Sequence, residues 1–334
     1  MAPNASGVDL FRMSSKAFAL VNVFVAVFNI LMNLFFIFCM VFPQQGPEHL
    51  KQPLKILLGL LIECSIAVHV CILIFVQNGD VIFAPESAEF LIYHIIEEVM
   101  LFTMRTSVTS HLWLSVFYYC QIVPAQRSFF IWLKENIREF VYSALIMDRL
   151  FFLSGFISSV LYFSEIHNFP ENIAAANPNL PDTQQNATSA KYRRLFDLYV
   201  IQYWIRFPYF LLSLFVMLAS NCATILYLRK HMKSMKDSSR SFSLPRLQTQ
   251  MRVTITGIVQ AILQIICSSW IISDGPLRLT LPSNFDPDRH IYSTVISLYT
   301  LCSTLNLCAG QSIFRQRAVN AWQKLVQYFT TLND

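Results

Sequence analysis

The sequence predicts an all-α membrane protein: a bundle of seven transmembrane helices, N-terminus extracellular, C-terminus cytoplasmic, with a short amphipathic C-terminal helix. Three observations carry that expectation. Of the 334 residues, 54% are hydrophobic and only 13% are charged, against about 25% charge in an ordinary soluble chain. Seven apolar runs reach the roughly 20 residues that a helix needs to cross a bilayer. Lysine and arginine gather in alternate connecting segments, which orients the bundle.

The first run, Ala17 to Phe42, is long enough to span, and the residues before it are polar and mixed, so it is expected to stay as a helix rather than be cut as a signal peptide. Pro43 and Pro47 close it. The second, Leu54 to Val76, ends on Gln77-Asn78-Gly79-Asp80. The third, Phe90 to Val123, ends at Pro124 and is longer than a bilayer needs, so its acidic start is expected to protrude or tilt. The fourth, Phe140 to Phe163, is followed by a polar, proline-bearing loop, Asn168 to Ala190. The fifth is Leu198 to Leu228 and the sixth Val253 to Ile272. Asp274-Gly275-Pro276 and Pro282 to Arg289 separate the sixth from the seventh, Ile291 to Ile313. Residues 1–313 thus read as one seven-span domain. Residues 314–334 read as a cytoplasmic tail, with Phe314, Ala318, Ala321, Trp322, Leu325 and Phe329 on one face and Arg315, Arg317 and Lys324 off it, a pattern suited to lying on a leaflet.

With the N-terminus outside, the inner segments hold Lys51 and Lys55, then Arg127, Lys134 and Arg138, then the basic stretch Arg229 to Arg252, then Arg315, Arg317 and Lys324. The outer segments hold fewer, and the positive-inside rule favours this orientation. Two glycosylation sequons, at Asn4 and Asn186, fall on the same outer side. All eight cysteines lie in spanning runs and none in an outer loop, so they read as small packing residues rather than disulfide partners. The net charge of +5 is modest and does not suggest nucleic acid. Multi-pass placement in the plasma membrane is the expected location.

Charges inside a span cost on the order of 2.5 to 3.5 kcal/mol each and default to a functional role. The third run carries Glu97, Glu98 and Arg105. Residues three and four apart share a helix face: Glu98, Arg105 and Thr109 roughly line one, and Thr106, Ser110 and Trp113 another. Arg206 on the fifth run, Gln260 and Gln264 on the sixth and Tyr299 on the seventh reach the same level. One reading is an amphipathic small-molecule pocket with a cationic tendency. The other is that Arg105 pairs with Glu97 or Glu98 and locks the bundle. They are compatible, because an internal ion pair broken by a ligand is a switch. Asp148 and Arg149 are adjacent and must face different ways, so each is expected to find a partner on another helix. Glu63, deep in the second run, reads as bundle-stabilising or state-sensing. His94 and Glu97 have a metal-like spacing with no second such pair, so no metal or cofactor is expected. No paired nucleophile and base suggests an enzyme, and no paired broken helices or internal repeat suggests a transporter.

Four stretches then narrow the class. Trp113-Leu114-Ser115-Val116-Phe117-Tyr118-Tyr119-Cys120-Gln121-Ile122, followed by Phe129-Phe130-Ile131-Trp132-Leu133-Lys134, resembles the third helix and second inner loop of the taste receptor type 2 (bitter taste receptor) family of G-protein-coupled receptors. Leu228-Arg229-Lys230-His231-Met232-Lys233-Ser234-Met235 is similar to that family's fifth-helix end. Gly310-Gln311-Ser312-Ile313-Phe314-Arg315-Gln316 and Asn33-Leu34-Phe35-Phe36-Ile37 resemble its motifs after helix seven and in helix one. The chain also lacks an Asp-Arg-Tyr at the base of helix three, an Asn-Pro-x-x-Tyr in helix seven and a cysteine pair joining helix three to the second outer loop, as that family does. It departs from the family at Glu63-Cys64, where an arginine is expected, at Thr109 in place of a tryptophan, and in a seventh helix without the family's proline. These departures mark a divergent, non-mammalian, fish-like member. The resemblance implies binding of a small agonist in the outer half of the bundle and coupling to a heterotrimeric G protein of the gustducin-like or inhibitory class. It implies contacts to that partner from Gln121, Phe130, Lys134, Arg229, Lys230, His231, Lys233 and Lys236, with membrane lipid at the edge of the same basic surface. A vomeronasal type 1-like pheromone or odorant receptor is the alternative class.

Overall fold

A computed structural model describes residues 13–42, 52–78, 88–124, 127–168, 182–237, 244–280, 286 and 288–333. All regular structure among them is helical. The helices are α1 (Ser15–Val41), α2 (Leu54–Asn78), α3 (Ala88–Ile122), α4 (Ser128–Glu135), α5 (Ile137–Asn168), α6 (Asp182–Asp237), α7 (Leu244–Thr280), α8 (His290–Gly310) and α9 (Ser312–Asn333). Six of them, α1, α2, α5, α6, α7 and α8, contain a stretch long and apolar enough to cross a membrane. The third, α3, is as long but carries Glu97, Glu98 and Arg105.

The sequence explains why these elements form. Ser14 caps α1, its hydroxyl accepting from the Ala17 amide at 3.3 Å. Phe18, Asn22, Val25, Ala26, Asn29, Asn33 and Phe36 then turn inward at helical spacing, while Leu20, Phe24, Leu31 and Phe38 face out, more than half exposed. An apolar outer face of this kind is uncomfortable in water and suited to lipid. The helices close into a ring in which α1 packs on α2 and α8, α5 on α3 and α6, and α7 on α6 and α8. Within it α3 touches α2, α5, α6 and α7, so its polar side chains have protein rather than lipid around them.

Two apolar clusters stack along the bundle axis. One, toward the end that carries α9, gathers Phe36, Leu57, Leu58, Leu114, Phe117 and Phe314. The other, toward the opposite end, gathers Val68, Ile72, Met100, Met104, Ile296 and Tyr299. A polar seam runs beside them between α1, α2 and α8. Ser65 Oγ accepts from Asn29 Nδ2 at 2.7 Å and from Asn33 Nδ2 at 2.9 Å, and meets Thr304 Oγ1 at 3.0 Å. Asn29 Nδ2 also lies 2.9 Å from His69 Nδ1. These groups are buried and have no water to turn to, so one hydroxyl serves three helices.

Three features differ from the sequence expectation. The segment read as a loop up to Ala190 is helical from Asp182, and α6 runs 56 residues as one helix through Pro208. The stretch from Asp182 to Tyr192 contains neither glycine nor proline, so nothing stops the helix propagating out of the bundle. Similarly, α7 continues past Asp274-Gly275-Pro276 to Thr280, since one proline removes a single backbone hydrogen bond from a long ladder. The segment after Pro124 forms a separate short helix, α4, that buries Leu133 and exposes Ile131 and Trp132. At the chain's end, Phe314 is fully buried and stacked on Phe36 with ring centroids 4.3 Å apart, which ties the first turn of α9 to α1. Trp322, farther along α9, is exposed.

All eight cysteines are free. Cys39, Cys64, Cys71, Cys120 and Cys267 are buried, as packing residues would be, whereas Cys222 and Cys302 lie on the outer surface.

Candidate functional site

In the half of the bundle away from α9, four helices enclose a cavity of about 100 Å³. Leu101, Met104, Arg105, Val108 and Thr109 give it one wall; their spacing is that of one helical face. Phe152 of α5 enters from the side. Phe207, Tyr209, Phe210 and Ser213 of α6 and Ser268, Ile271 and Ile272 of α7 complete it. Pro208 sits beside this wall, and its missing N–H leaves the helix without a bond at that turn. The lining is mostly apolar with a few polar groups, the usual composition of a small-molecule site. Most of the hydroxyls are already committed: Thr109 donates to the Thr106 carbonyl at 3.0 Å, Ser213 to the Tyr209 carbonyl at 2.9 Å, and Tyr209 to Asp148.

Asp148 anchors the cavity's edge. The carboxylate of this buried residue accepts from Trp113 Nε1 at 2.9 Å through one oxygen and from the Tyr209 hydroxyl through the other. It therefore joins α3, α5 and α6 at one point. The Tyr209 ring is held from behind by Phe151 and Phe152, at centroid distances of 5.4 and 5.8 Å. Arg149 points the other way and meets Glu63 of α2 at 3.7 Å, both partly exposed. The two adjacent charges thus find partners on different helices, as their adjacency requires.

Above the cavity a turn pins the bundle's end. Asp286 caps α8, its carboxylate accepting from the Ile291 and Tyr292 amides at 3.1 and 2.8 Å. Arg289 adopts a left-handed backbone with φ of 56°, and its Nη1 reaches Glu97 Oε1 of α3 at 2.6 Å while stacking over Tyr292. His94 Nδ1 lies 3.6 Å from the other Glu97 oxygen. His290 stacks on Phe18 at 4.4 Å and bonds the Met13 carbonyl at 2.9 Å. Glu97 is thereby taken by Arg289, and among the described residues the lock anticipated between Arg105 and Glu97 or Glu98 does not form. Arg105 is turned toward the cavity instead.

Only some of the sequence-derived ligand residues reach the cavity. Arg105 and Thr109 line the cavity. Trp113 stands at its base through Asp148. Thr106 and Ser110 are buried on α3 with their hydroxyls returned to the Phe102 and Thr106 carbonyls. Glu98 is buried near Glu97. Gln264 is buried on α7, one turn from Ser268. Gln260 and Tyr299 belong to a layer nearer α9, where Gln260 Nε2 donates to the Tyr299 hydroxyl at 3.2 Å. Arg206 lies in α6, and its side chain is outside the described residues, as is that of Asn186; Asn4 is outside them altogether. Sequence reasoning did not single out Tyr209, Ser213 or Ser268. Their only signal was a polar residue within an apolar run.

That second layer is a polar relay between α3, α6, α7 and α8. His111 Nε2 meets Ser303 Oγ at 2.9 Å, Asn221 Nδ2 donates to Ser115 Oγ at 3.2 Å, and Asn306 Nδ2 donates to Gln260 Oε1 at 3.2 Å. Tyr118 and Gln311 are joined by their side chains at 3.1 and 2.9 Å. Helix packing is tight here: a methyl on Gly257 would sit 2.9 Å from Asn221 Cγ.

At the α9 end, a wide cavity of about 530 Å³ opens between α3, α4 and α6, lined by Tyr119, Val123, Arg127, Phe130, Tyr227, Lys230, His231 and Ser234 among others. Tyr119 and Phe130 meet edge to face at 6.0 Å, and His231 stacks flat on Tyr227 at 6.0 Å. Gln121, Lys134, Arg229 and Lys233 are exposed around it. Lys236 belongs to α6, its side chain outside the described residues. Among the described residues no group of three His, Cys, Asp or Glu converges as a metal site would.

A family model described as taste receptor protein (TAS2R) matches residues 10–325. No curated protein matches the chain.

Proposed function

The chain belongs to the taste receptor protein (TAS2R) family, and from that membership we propose that it is a seven-span chemosensory receptor of the plasma membrane whose agonist, a small bitter-type molecule, binds the cavity between α3, α5, α6 and α7. The family is one of G-protein-coupled receptors, and a vomeronasal-type identity is not favoured by a match of this extent. The observation that carries the reading is that one helix, α3, lines two cavities of opposite character. Arg105 and Thr109 face the smaller, apolar one, and Tyr119 and Val123 face the wide basic one. The relay of His111, Ser115, Tyr118, Gln260 and Asn306 lies between them.

In this reading α3 is the seventh span. Its central position makes its charges affordable, because Glu97 meets Arg289 and Arg105 meets a cavity rather than acyl chains. The α9 end is cytoplasmic, consistent with the lysine and arginine excess at that end. The basic cavity receives a helix of a G-protein α-subunit of the gustducin-like or inhibitory class, with Phe130, Lys134, Arg229, Lys230, His231 and Lys233 around it and anionic lipid at its rim. Asn4 and Asn186 carry glycans on the outer face. An agonist that fits the active arrangement better than the resting one shifts the population toward it, and linkage makes the effect reciprocal.

The test is agonist affinity with and without a nucleotide-free G protein, after a calcium-response screen of bitter compounds in cells that express a chimeric G protein. Affinity should rise when the G protein is present and fall on adding a guanine nucleotide. An affinity unchanged by either addition would sink the proposal.

A further inference from the structure

The cavity between α3, α5, α6 and α7 contains two polar groups that the protein itself leaves without a counterpart. Arg105 faces an apolar lining, and no carboxylate among the described residues pairs with it: Glu97 is held by Arg289 and Asp148 by Trp113 and Tyr209. Arg105 is only partly buried, but a guanidinium cannot shed its proton, and its fork of donors suits a carboxylate or sulfonate. The second group is Ser268, only 4% exposed, whose hydroxyl has no hydrogen-bond partner. Its neighbours on α7 behave differently. Thr254, Thr256 and Ser273 each return their hydroxyl to a backbone carbonyl three or four residues back. Ser268 could do the same and does not; it is a donor kept unspent at a cavity wall.

From this pair we infer that the cavity takes an amphipathic anion, a carboxylate or sulfonate on a single-ring apolar body, whose head group bridges Arg105 of α3 and Ser268 of α7. This rests on the cavity being the agonist site proposed above and names the chemical class of its occupant. The remaining walls suit the body: Met104, Val108, Phe152, Phe210 and Ile272 offer no competing charge. The volume of about 100 Å³ is on the scale that accepts one small ring. Asp148 stands at the edge with each oxygen already accepting a hydrogen bond from a neutral donor, whereas Arg105 has none of its donors committed to a carboxylate among the described residues. A ligand held at Arg105 and Ser268 ties α3 to α7 across the gap.

A matched series tests the class without any G protein. The full chain in phosphatidylcholine nanodiscs is titrated with 3-phenylpropanoate, 3-phenylpropanamide and 3-phenylpropylammonium, and the thermal unfolding midpoint is followed. The acid should raise the midpoint at a concentration roughly tenfold or more below that of the amide, the advantage of a charge-assisted pair, and the ammonium should give no shift. Arg105→Gln should erase the difference between acid and amide, and Arg105→Lys should restore part of it. Ser268→Ala provides a variant whose folding is not in question, since it removes a hydroxyl that bonds nothing; its unliganded midpoint should match or exceed that of the parent while its response to the acid weakens. Equal potency of acid and amide, stabilisation by the ammonium, an acid response indifferent to both substitutions, or no response to the acid up to its solubility limit would each overturn the assignment. None of these outcomes touches G-protein coupling, whose own failure would appear in the nucleotide experiment and leave this titration unaffected.

Discussion

Arg289 reaches Glu97 at 2.6 Å, joining the turn before α8 to the first third of α3 through two side chains that are mostly buried. The pair holds a carboxylate that would otherwise be stranded inside the bundle, and it draws on a backbone, at Arg289, in the left-handed region that non-glycine residues enter at a cost. Removing one partner leaves the other charge buried, which is more damaging than removing both. Arg289→Ala should lower stability by about 2–3 kcal/mol, and the double variant with Glu97→Gln should recover part of that loss. Thermal melts of the four-member cycle in nanodiscs measure it; strictly additive losses would show that the contact contributes nothing.

The Asp148 junction makes a second prediction. One carboxylate takes one hydrogen bond on each oxygen from two different helices. Asp148→Asn keeps the shape but turns one acceptor into a donor facing another donor, so it should cost about 1–3 kcal/mol. Trp113→Phe, which deletes a single bond, should cost less. Melting of both variants is the measurement, and an Asn variant as stable as the parent would argue that the junction is unimportant.

Close approach of α6 and α7 gives a third. A methyl at Gly257 cannot fit against Asn221 without moving one helix. Overpacking of this kind costs about 1–3 kcal/mol. Because the crowding lies toward the α9 end, Gly257→Ala should also push α6 and α7 apart there and raise ligand-independent signalling. Calcium responses at matched surface expression read this out; reduced stability with unchanged basal signal would separate packing from activation.

The basic cavity gives a fourth. Arg127→Ala and Lys230→Ala remove charge, and His231→Ala removes an imidazole, from exposed positions, and all three should leave folding intact. They should lower the maximal calcium response severalfold while agonist potency in the same cells changes little. A uniform loss of potency with a preserved maximum would assign these residues to the ligand instead.

Much of the fold was readable from the chain because lipid imposes one rule along a whole segment: an apolar run either reaches the needed length or does not. The starts of α1, α2 and α8 fell within two residues of the structure on that basis. Helix extension beyond the apolar run was not readable, since the polar ends of α6 and α7 obey local propensity rather than the bilayer. The candidate site was legible only on α3, where Arg105 stood out as a charge in an apolar stretch. Tyr209, Ser213 and Ser268 were invisible because a single hydroxyl in a span is commonplace, and what marks Ser268 is a missing bond that no sequence displays. That Asp148 and Arg149 diverge could be deduced from their adjacency; that Asp148 would meet Trp113 and Arg149 would meet Glu63 could not, because those meetings depend on how three helices settle against one another.

The seam at Ser65 has a consequence for how the molecule is made. Translation delivers α1 and α2 before α8, with Asn29, Asn33 and His69 already committed to the interior face, whereas Thr304 arrives only with α8, 239 residues after Ser65. Until then the hairpin carries amide and hydroxyl groups toward a space that α8 will fill. The early part of the chain therefore keeps a record of whether the late part has arrived, and a chain stopped short of α8 presents that unmet polar face to whatever inspects newly inserted helices. Completion of the bundle is registered in one hydroxyl shared by its beginning and its end.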